Sequence, residues 1–576
     1  MTAPTDATDA TDLIERARAW VSGDPDPDTR EQLQALIDAG DTDELAERVG
    51  AGLQFGTAGL RGAVGAGPNR MNRAVVIRTT RGFADHLLAT HPDAAERGVV
   101  VGFDARHDSE RFAHDVVEVF AGAGLPVSWF PTPQPTPLVA YAQKALDAVA
   151  AVVVTASHNP PQDNGYKVYG DGAAQIAPPV DESIAAAIAQ VGPAAEVARV
   201  DLLDADLITP VGDDVVDRYF AELIPARPPV DGPPLTLVYT PLHGVAGPHV
   251  RRALAEGGYE DLHVVASQEQ PDGDFPTVPF PNPEEPGAMD ALLALGQEIG
   301  ADLALANDPD GDRLAVALPG PNGTFRPLTG NQIGVLLADH LLRGTDADRP
   351  LIVSSIVSTP MVHAVAADYG ARSEVTLTGF KWIWAAGRDL ERTDARTFVF
   401  GFEEALGSSV GNVVRDKDGI GAAVAFADLV RSCQAHDQTV DDRWAELCRA
   451  HGLWVSRQLA LTRPGASGAA EIATAMASLD TDRPTELAGH AVTASTDFRV
   501  GADQRPPWLT THDLVAFDLA DGRVMIRPSG TEPKCKIYVD LRAELGPGDD
   551  LDTRTVELER EAAAVAAAMA AYVGLS

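Results

Sequence analysis

Cysteine and positive charge are scarce in this chain, and no apolar run is long enough to cross a bilayer. Of 576 residues only three are cysteine: Cys433, Cys448 and Cys535. An odd count without Cys-x-x-Cys spacing argues against a disulfide framework and against a structural zinc site, and it points to a reducing, cytoplasmic compartment. Lys and Arg number 45 against 84 Asp and Glu, a formal charge of -39 at pH 7. So acidic a surface argues against nucleic acid as a partner, and any anionic ligand must be held by local cationic clusters. The acidity suits a saline cytoplasm or plain solubility, and no chemistry is assigned to it. The most apolar stretch, Ala562 to Val573, is short, alanine-rich and preceded by the charged segment Glu557 to Glu561. It is expected to be a terminal helix packed on its own domain rather than a membrane anchor. The start, Met1-Thr-Ala-Pro-Thr-Asp-Ala-Thr-Asp9, is acidic where a secretory signal is basic, and is expected to be a tail.

Several familiar motifs are missing too. No fixed-period repeat occurs, which disfavours a solenoid. Ser157 is flanked by Thr155 and Asn159, so the Gly-x-Ser-x-Gly elbow of α/β-hydrolases is absent. Counted from Asp308, the sixth and twelfth positions are Arg313 and Pro319, where an EF-hand loop needs glycine and glutamate.

What the chain does have is 45% hydrophobic residues, ample for more than one core. Strand-like runs at Val99 to Phe103, Val149 to Val154, Leu235 to Tyr239, Leu303 to Ala306, Leu351 to Ser354 and Thr397 to Phe400 alternate with helix-like segments. That order predicts parallel βαβ units. The proline-rich stretch Pro225 to Pro234, the polar seam Arg343 to Pro350 and the segment Pro464 to Ala470 mark borders near 228, 347 and 470. The expected organisation is three α/β domains, 1–228, 229–347 and 348–470, and an α+β domain, 471–576.

In each proposed domain a strand-like run empties into a polar loop. Thr155-Ala-Ser-His-Asn-Pro160 offers the Ser157 hydroxyl, with His158 beside it, and continues through Asn164 and Gly165 to Lys167. A turn or helix cap explains such residues equally well. Asp308-Pro-Asp-Gly-Asp-Arg313 spaces three carboxylates alternately, so an extended segment turns them to one side, where they suit Mg²⁺; an acidic surface turn is the alternative. Gly401-Phe-Glu-Glu-Ala-Leu-Gly407 carries Glu403 and Glu404, as hydroxyl-reading carboxylates or as a helix start; adjacent residues point apart, which makes a poor glycosidase pair. Arg527-Pro-Ser-Gly-Thr-Glu-Pro-Lys534 combines a guanidinium, two hydroxyls and a glycine, as a phosphate cradle or as an ordinary turn. A nucleophile, a divalent metal site, a sugar-reading carboxylate and a phosphate cradle are together the parts of phosphoryl transfer on a sugar.

With Phe55-Gly-Thr-Ala-Gly-Leu-Arg-Gly62 and Thr378-Gly-Phe-Lys381 set beside the loops that begin at Thr155, Asp308 and Arg527, five motifs stand in one order, and the chain resembles the α-D-phosphohexomutase superfamily, in its phosphoglucomutase and phosphopentomutase branch. The resemblance implies a heart-shaped, four-domain α/β fold, monomeric or weakly dimeric, acting on a small phosphosugar. It further implies that Ser157 carries a phosphoryl group and that Mg²⁺ is held by Asp308, Asp310, Asp312 and an oxygen on Ser157. Arg61 and Lys167 are expected to flank the transferring phosphate, and His158 and Lys381 to move protons. Arg313 and Glu403 are expected to contact the sugar substrate, and Arg527, Ser529, Gly530 and Thr531 the distal phosphate. The implied reaction is phosphoglucomutase, through glucose 1,6-bisphosphate as intermediate and activator. Phosphopentomutase or phosphomannomutase activity is the alternative, since Ala405 stands where many relatives have serine. A phosphosugar-binding protein without turnover is the alternative of another class.

Overall fold

The computed structural model describes residues 7–56, 59–203, 206–463, 465–528 and 534–575. They fall into four sheets and two compact units. The first unit runs to Ala226 and adds Pro234–Pro327 and Ser408–Val424; the second comprises Arg227–Pro233, Leu328–Gly407 and the chain from Ala425 onward.

In the first sheet, strands Val99–Phe103 and Ala150–Val154 lie parallel, and each is buried at all five positions. A strand covered on both faces has no polar side, which is why both read as unbroken apolar runs. Val127–Trp129 and Ile208–Pro210 extend the parallel part. At the other edge Asp163–Gly170 runs antiparallel to Ala150–Val154, with Lys167 opposite Val153, and Leu60–Ala63 pairs with it in turn. Lys167, expected in a loop, therefore sits on a strand. Tyr166 and Val168 alternate with it into the apolar core, and this two-residue period turns the lysine to the opposite face.

The second sheet sets Leu303–Asn307 parallel to Leu237–Thr240 and antiparallel to Leu314–Pro319. The Asp308 to Arg313 loop is consequently a hairpin connection rather than the extended segment expected. Gly311, at φ 70, closes it, and its N–H donates to Asp308 O at 2.9 Å. Both this loop and the one bearing Ser157 leave the carboxyl end of a parallel strand, where open α/β sheets gather their ligands.

In the second unit, Pro350–Ser355 lies between Arg372–Thr376 and Thr397–Glu403, all parallel. Helix Gly330–Gly344 packs on Thr397–Glu403 and on helix Met361–Asp368. A capping box of Thr329 and Gln332 starts it. The last sheet is antiparallel, in the order Leu453–Thr462, Lys534–Ala543, Gly522–Pro528, Val515–Leu519, His490–Asp497, Glu486–Leu487. Helix Leu551–Tyr572 covers it through Leu558, Ala562, Val565 and Met569. Among the described residues no helix is long and apolar enough to cross a membrane.

Candidate active site

Ser157 is 4% exposed and adopts φ 56, a left-handed backbone that costs a non-glycine residue ~1–3 kcal/mol. Neighbouring groups hold it there. Thr155 Oγ1 accepts the Ser157 N–H at 2.8 Å. Gly165 faces Thr155 so closely that a Cβ would lie 2.4 Å from its carbonyl oxygen, so glycine is what lets the returning strand close over the loop. The Ser157 hydroxyl donates to Asp308 Oδ2 at 2.9 Å and has His158 Nδ1 at 3.1 Å. Burial, then the nearby Arg313 and Arg61, push the His158 imidazole well below its usual range, so it is neutral near pH 7.

Asp308, Asp310 and Asp312 are each fully buried, and one oxygen from each lies within 4.8 Å of the others. Lys167 Nζ donates to Asp310 Oδ2 at 2.6 Å and Asp312 Oδ2 at 2.8 Å, and Lys417 Nζ lies 3.0 Å from Asp312 Oδ2. Thr136 Oγ1 donates to Asp310 Oδ2 at 2.6 Å. Burial alone would push Lys167 down, but Asp310 and Asp312 hold it charged above its usual value. Burial pushes Asp312 up, and Lys167, Lys417 and Arg313 more than reverse it. For Asp308, burial and the two neighbouring carboxylates push the carboxyl well above the usual range. Three carboxylates thus face two ammonium groups, and Asp310 Oδ1 and Asp312 Oδ1 are buried without a hydrogen-bond partner among the described residues. Hard oxygen donors with unspent lone pairs at this spacing fit Mg²⁺.

Around this cluster, Arg313 donates its backbone N–H to Asp308 Oδ1 at 3.0 Å, and its guanidinium lies 3.5 Å from Glu284. Arg61, an exposed side chain, donates to Asn159 Oδ1 at 3.1 Å.

The second unit gathers a different set. Glu403 ends strand Thr397–Glu403 and accepts the Gly379 N–H at 2.5 Å. Glu404 turns away to accept from Ser355 and Ser358 at 3.1 and 3.3 Å. Two residues after Gly379 comes Lys381, in the first turn of helix Phe380–Asp394, over the Trp382 ring at 5.8 Å. Arg527 lies 3.3 Å from His512 Nε2, and burial, then Arg527 and Lys381, lower His512 to about 4. Ser529, Gly530 and Thr531 lie outside the described residues.

Four family models cover the chain in sequence: phosphoglucomutase/phosphomannomutase alpha/beta/alpha domains I, II and III over residues 52–194, 217–320 and 329–450, and the C-terminal domain over 471–544. The chain belongs to the α-D-phosphohexomutase superfamily. It is therefore a phosphosugar mutase, an intramolecular phosphotransferase with three α/β domains and a C-terminal domain. A protein of Haemophilus influenzae named "Probable phosphomannomutase" is 40% identical over 481 residues, 82% of this chain and 93% of that protein. A Schizosaccharomyces pombe protein named "Probable phosphoribomutase" is 36% identical, covering 92% and 94%. The crystal structure of Paramecium parafusin in its open form shares the fold, with a TM-score of 0.66 at 18% identity over 91% of this chain and 96% of that one.

Within this mutase, the first unit brings together Ser157, His158, Lys167 and the three aspartates, with Arg313 against Asp308. In the second unit, Arg527 and Lys381 both act electrostatically on His512. Sequence reasoning missed Thr136, Lys417 and His512. Lys417 did leave a signal, the charged run Arg415-Asp-Lys-Asp418. Missed as well were Asp104 and Arg106, although they follow the strand Val99–Phe103 just as Ser157 follows its own.

Proposed function

We propose that this mutase interconverts an aldose 1-phosphate and its terminal phosphate, with glucose 1-phosphate and glucose 6-phosphate as the first substrate pair, through a phosphorylated Ser157. The observation that carries the reading is the Ser157 hydroxyl 2.9 Å from Asp308 in a triad with two unspent carboxylate oxygens. Asp308, Asp310 and Asp312 would hold Mg²⁺ together with an oxygen on Ser157, and the bound ion supplies Lewis-acid neutralisation of the phosphoryl oxygens.

In the forward half, the free terminal hydroxyl of the sugar attacks phosphorus on Ser157. Its O–P bond forms, the P–Oγ bond breaks, and the hydroxyl proton passes to a base, for which neutral His158 and Lys381 are the candidates. The bisphosphate then turns over. Ser157 Oγ attacks the phosphate at the other end, the bond from phosphorus to the sugar oxygen breaks, and that oxygen takes a proton back. Atoms balance without a further reactant. Lys167 and Arg61 would offset charge beside the reacting phosphate, Arg313 and Glu403 would bind sugar hydroxyls, and the Arg527 to Thr531 loop would hold the phosphate that is not reacting.

A pentose reading is favoured by Ala405, which removes a serine hydroxyl from the sugar-reading loop, and by the likeness to the fission-yeast protein. Turnover on glucose, mannose and ribose 1-phosphates, each primed with its bisphosphate, decides between them. The glucose reading expects the highest kcat/KM on glucose 1-phosphate, and a ribose preference overturns it. Intact mass should show one phosphate, mapped to Ser157.

A further inference from the structure

The turn after strand Val99–Phe103 belongs to none of the five motifs, yet it holds the peptide of Ser157 from both sides. Asp104 and Arg106 are 1% and 4% exposed. One terminal nitrogen of Arg106 donates to Ser157 O at 2.6 Å and also to Asn159 O; the other donates to Pro160 O at 2.8 Å and Asp163 O at 3.2 Å. Its Nε lies 3.2 Å from Asp104 Oδ2. That same Asp104 oxygen accepts the Thr155 hydroxyl at 2.6 Å, and Thr155 Oγ1 accepts the Ser157 N–H at 2.8 Å. One buried carboxylate therefore reaches both the N–H and the C=O of Ser157, through Thr155 on one side and Arg106 on the other. The ring of Phe275 lies 5.0 Å from the Arg106 guanidinium, against which a second segment of the unit packs.

Four carbonyls of one loop converging on one guanidinium is more than a fold needs to bury a turn. A planar fork with five donors can satisfy them together, and no other side chain can. The loop it ties down carries the serine in a backbone conformation that serine does not favour. Resting on the reading of Ser157 as phosphoryl carrier, we propose that Asp104, Thr155 and Arg106 form a positioning assembly for phosphoryl transfer, fixing the Ser157 peptide so that Oγ stays against Asp308. None of the three touches the phosphosugar in this assignment; each acts through Ser157.

The test compares Thr155→Val, Thr155→Ser and Arg106→Lys with wild type on glucose 1-phosphate plus glucose 1,6-bisphosphate, or on whichever sugar pair proves preferred. The fraction folded at the assay temperature is measured by circular dichroism. Thr155→Val keeps the shape and removes the hydroxyl that joins Asp104 to Ser157. It is expected to lower kcat per folded molecule by about 10²-fold, the scale of a misplaced reacting group, with KM changed less than about threefold. Thr155→Ser, which restores the hydroxyl, is expected to recover kcat to within a few-fold. Arg106→Lys keeps the charge opposite Asp104 but cannot serve four carbonyls, and is expected to repeat the loss; it carries the test if Thr155→Val does not fold. A lowered melting temperature with wild-type kcat per folded molecule would assign these residues to stability alone and overturn the proposal. Ser157→Ala run alongside separates the two levels. An inactive Ser157→Ala beside a fully active Thr155→Val rejects only the positioning role, whereas an active Ser157→Ala rejects the phosphoryl carrier itself.

Discussion

The two units hold charge in different ways. In the first, Ser157, Asp308, Asp310, Asp312, Lys167 and Lys417 are buried or nearly so and interlocked by short contacts. In the second, Glu403, Lys381 and Arg527 sit at the ends of a strand, a helix and another strand, partly exposed, with contacts to a backbone N–H, a ring and an imidazole. Phosphoryl transfer gains from charges fixed before the reaction, because no energy is then spent reorienting them as charge develops. A phosphosugar that must present both of its ends gains from binding groups that can adapt. On this contrast, changes in the first unit strike kcat, and changes in the second strike KM.

The strongest test is Ser157→Ala. If Ser157 is the phosphoryl carrier proposed above, losing its oxygen is expected to lower turnover by roughly 10³-fold or more, with circular dichroism and melting temperature close to wild type. Turnover near wild type would remove the first unit's claim to the chemistry.

Next comes the metal. Thorough chelation is expected to silence the enzyme and Mg²⁺ to restore it, and full activity in chelator would contradict the assignment. Asp310→Asn is expected to lower kcat by about 10²-fold and to raise the Mg²⁺ concentration for half-activation. It withdraws one of three anionic donors and leaves Lys167 with only Asp312. Unchanged Mg²⁺ dependence in this variant would mean that the aspartates serve the lysines rather than a metal.

The parts of this contrast that could be read from sequence are those whose residues stand close together along the chain. Ser157 and the three aspartates follow apolar runs directly, so a strand-then-polar-loop reading reaches them. Lys167 was legible as a cation, but its strand was not, because Asn164-Gly165 looks like turn material until Tyr166 and Val168 are seen alternating into the core. The hairpin around Gly311 was equally hidden: alternate aspartates suggest an extended segment, whereas the positive φ of Gly311 folds them together. Arg106 was beyond reach for another reason. Its partners are backbone carbonyls of a distant loop, and a carbonyl acceptor leaves no trace in residue identity. Lys417 answers Asp312 across a still longer gap in the chain.

Arg527→Ala probes the second unit. A charge-assisted contact to phosphate is worth ~1.5–3 kcal/mol, so KM for the phosphosugar is expected to rise about 10- to 100-fold, with kcat reduced less. Steady-state kinetics read both numbers. A fall in kcat at unchanged KM would place Arg527 with the chemistry and erase the division between the units.

The smallest effect concerns stability. Whereas Lys167 in the first unit is held charged by its carboxylates, His340 in the second is 5% exposed, its Nε2 has no hydrogen-bond partner among the described residues, and burial, then Arg343, lower it to about 4. The imidazole is thus kept neutral in the fold while the unfolded chain protonates near 6.5. Between those values the unfolded state binds more protons, so the stability contributed by neutral His340 is complete above pH 6.5 and is lost as pH falls through 4. At pH 5.5 the loss amounts to about 1.4 kcal/mol. A His340→Gln variant, which cannot titrate, should melt with a flatter acid limb than wild type once the two curves are aligned at pH 7.5. If both curves fall in parallel from pH 6.5 to 5, His340 is not the titrating group, and the second unit's buried charge would have to be balanced as fully as the first's.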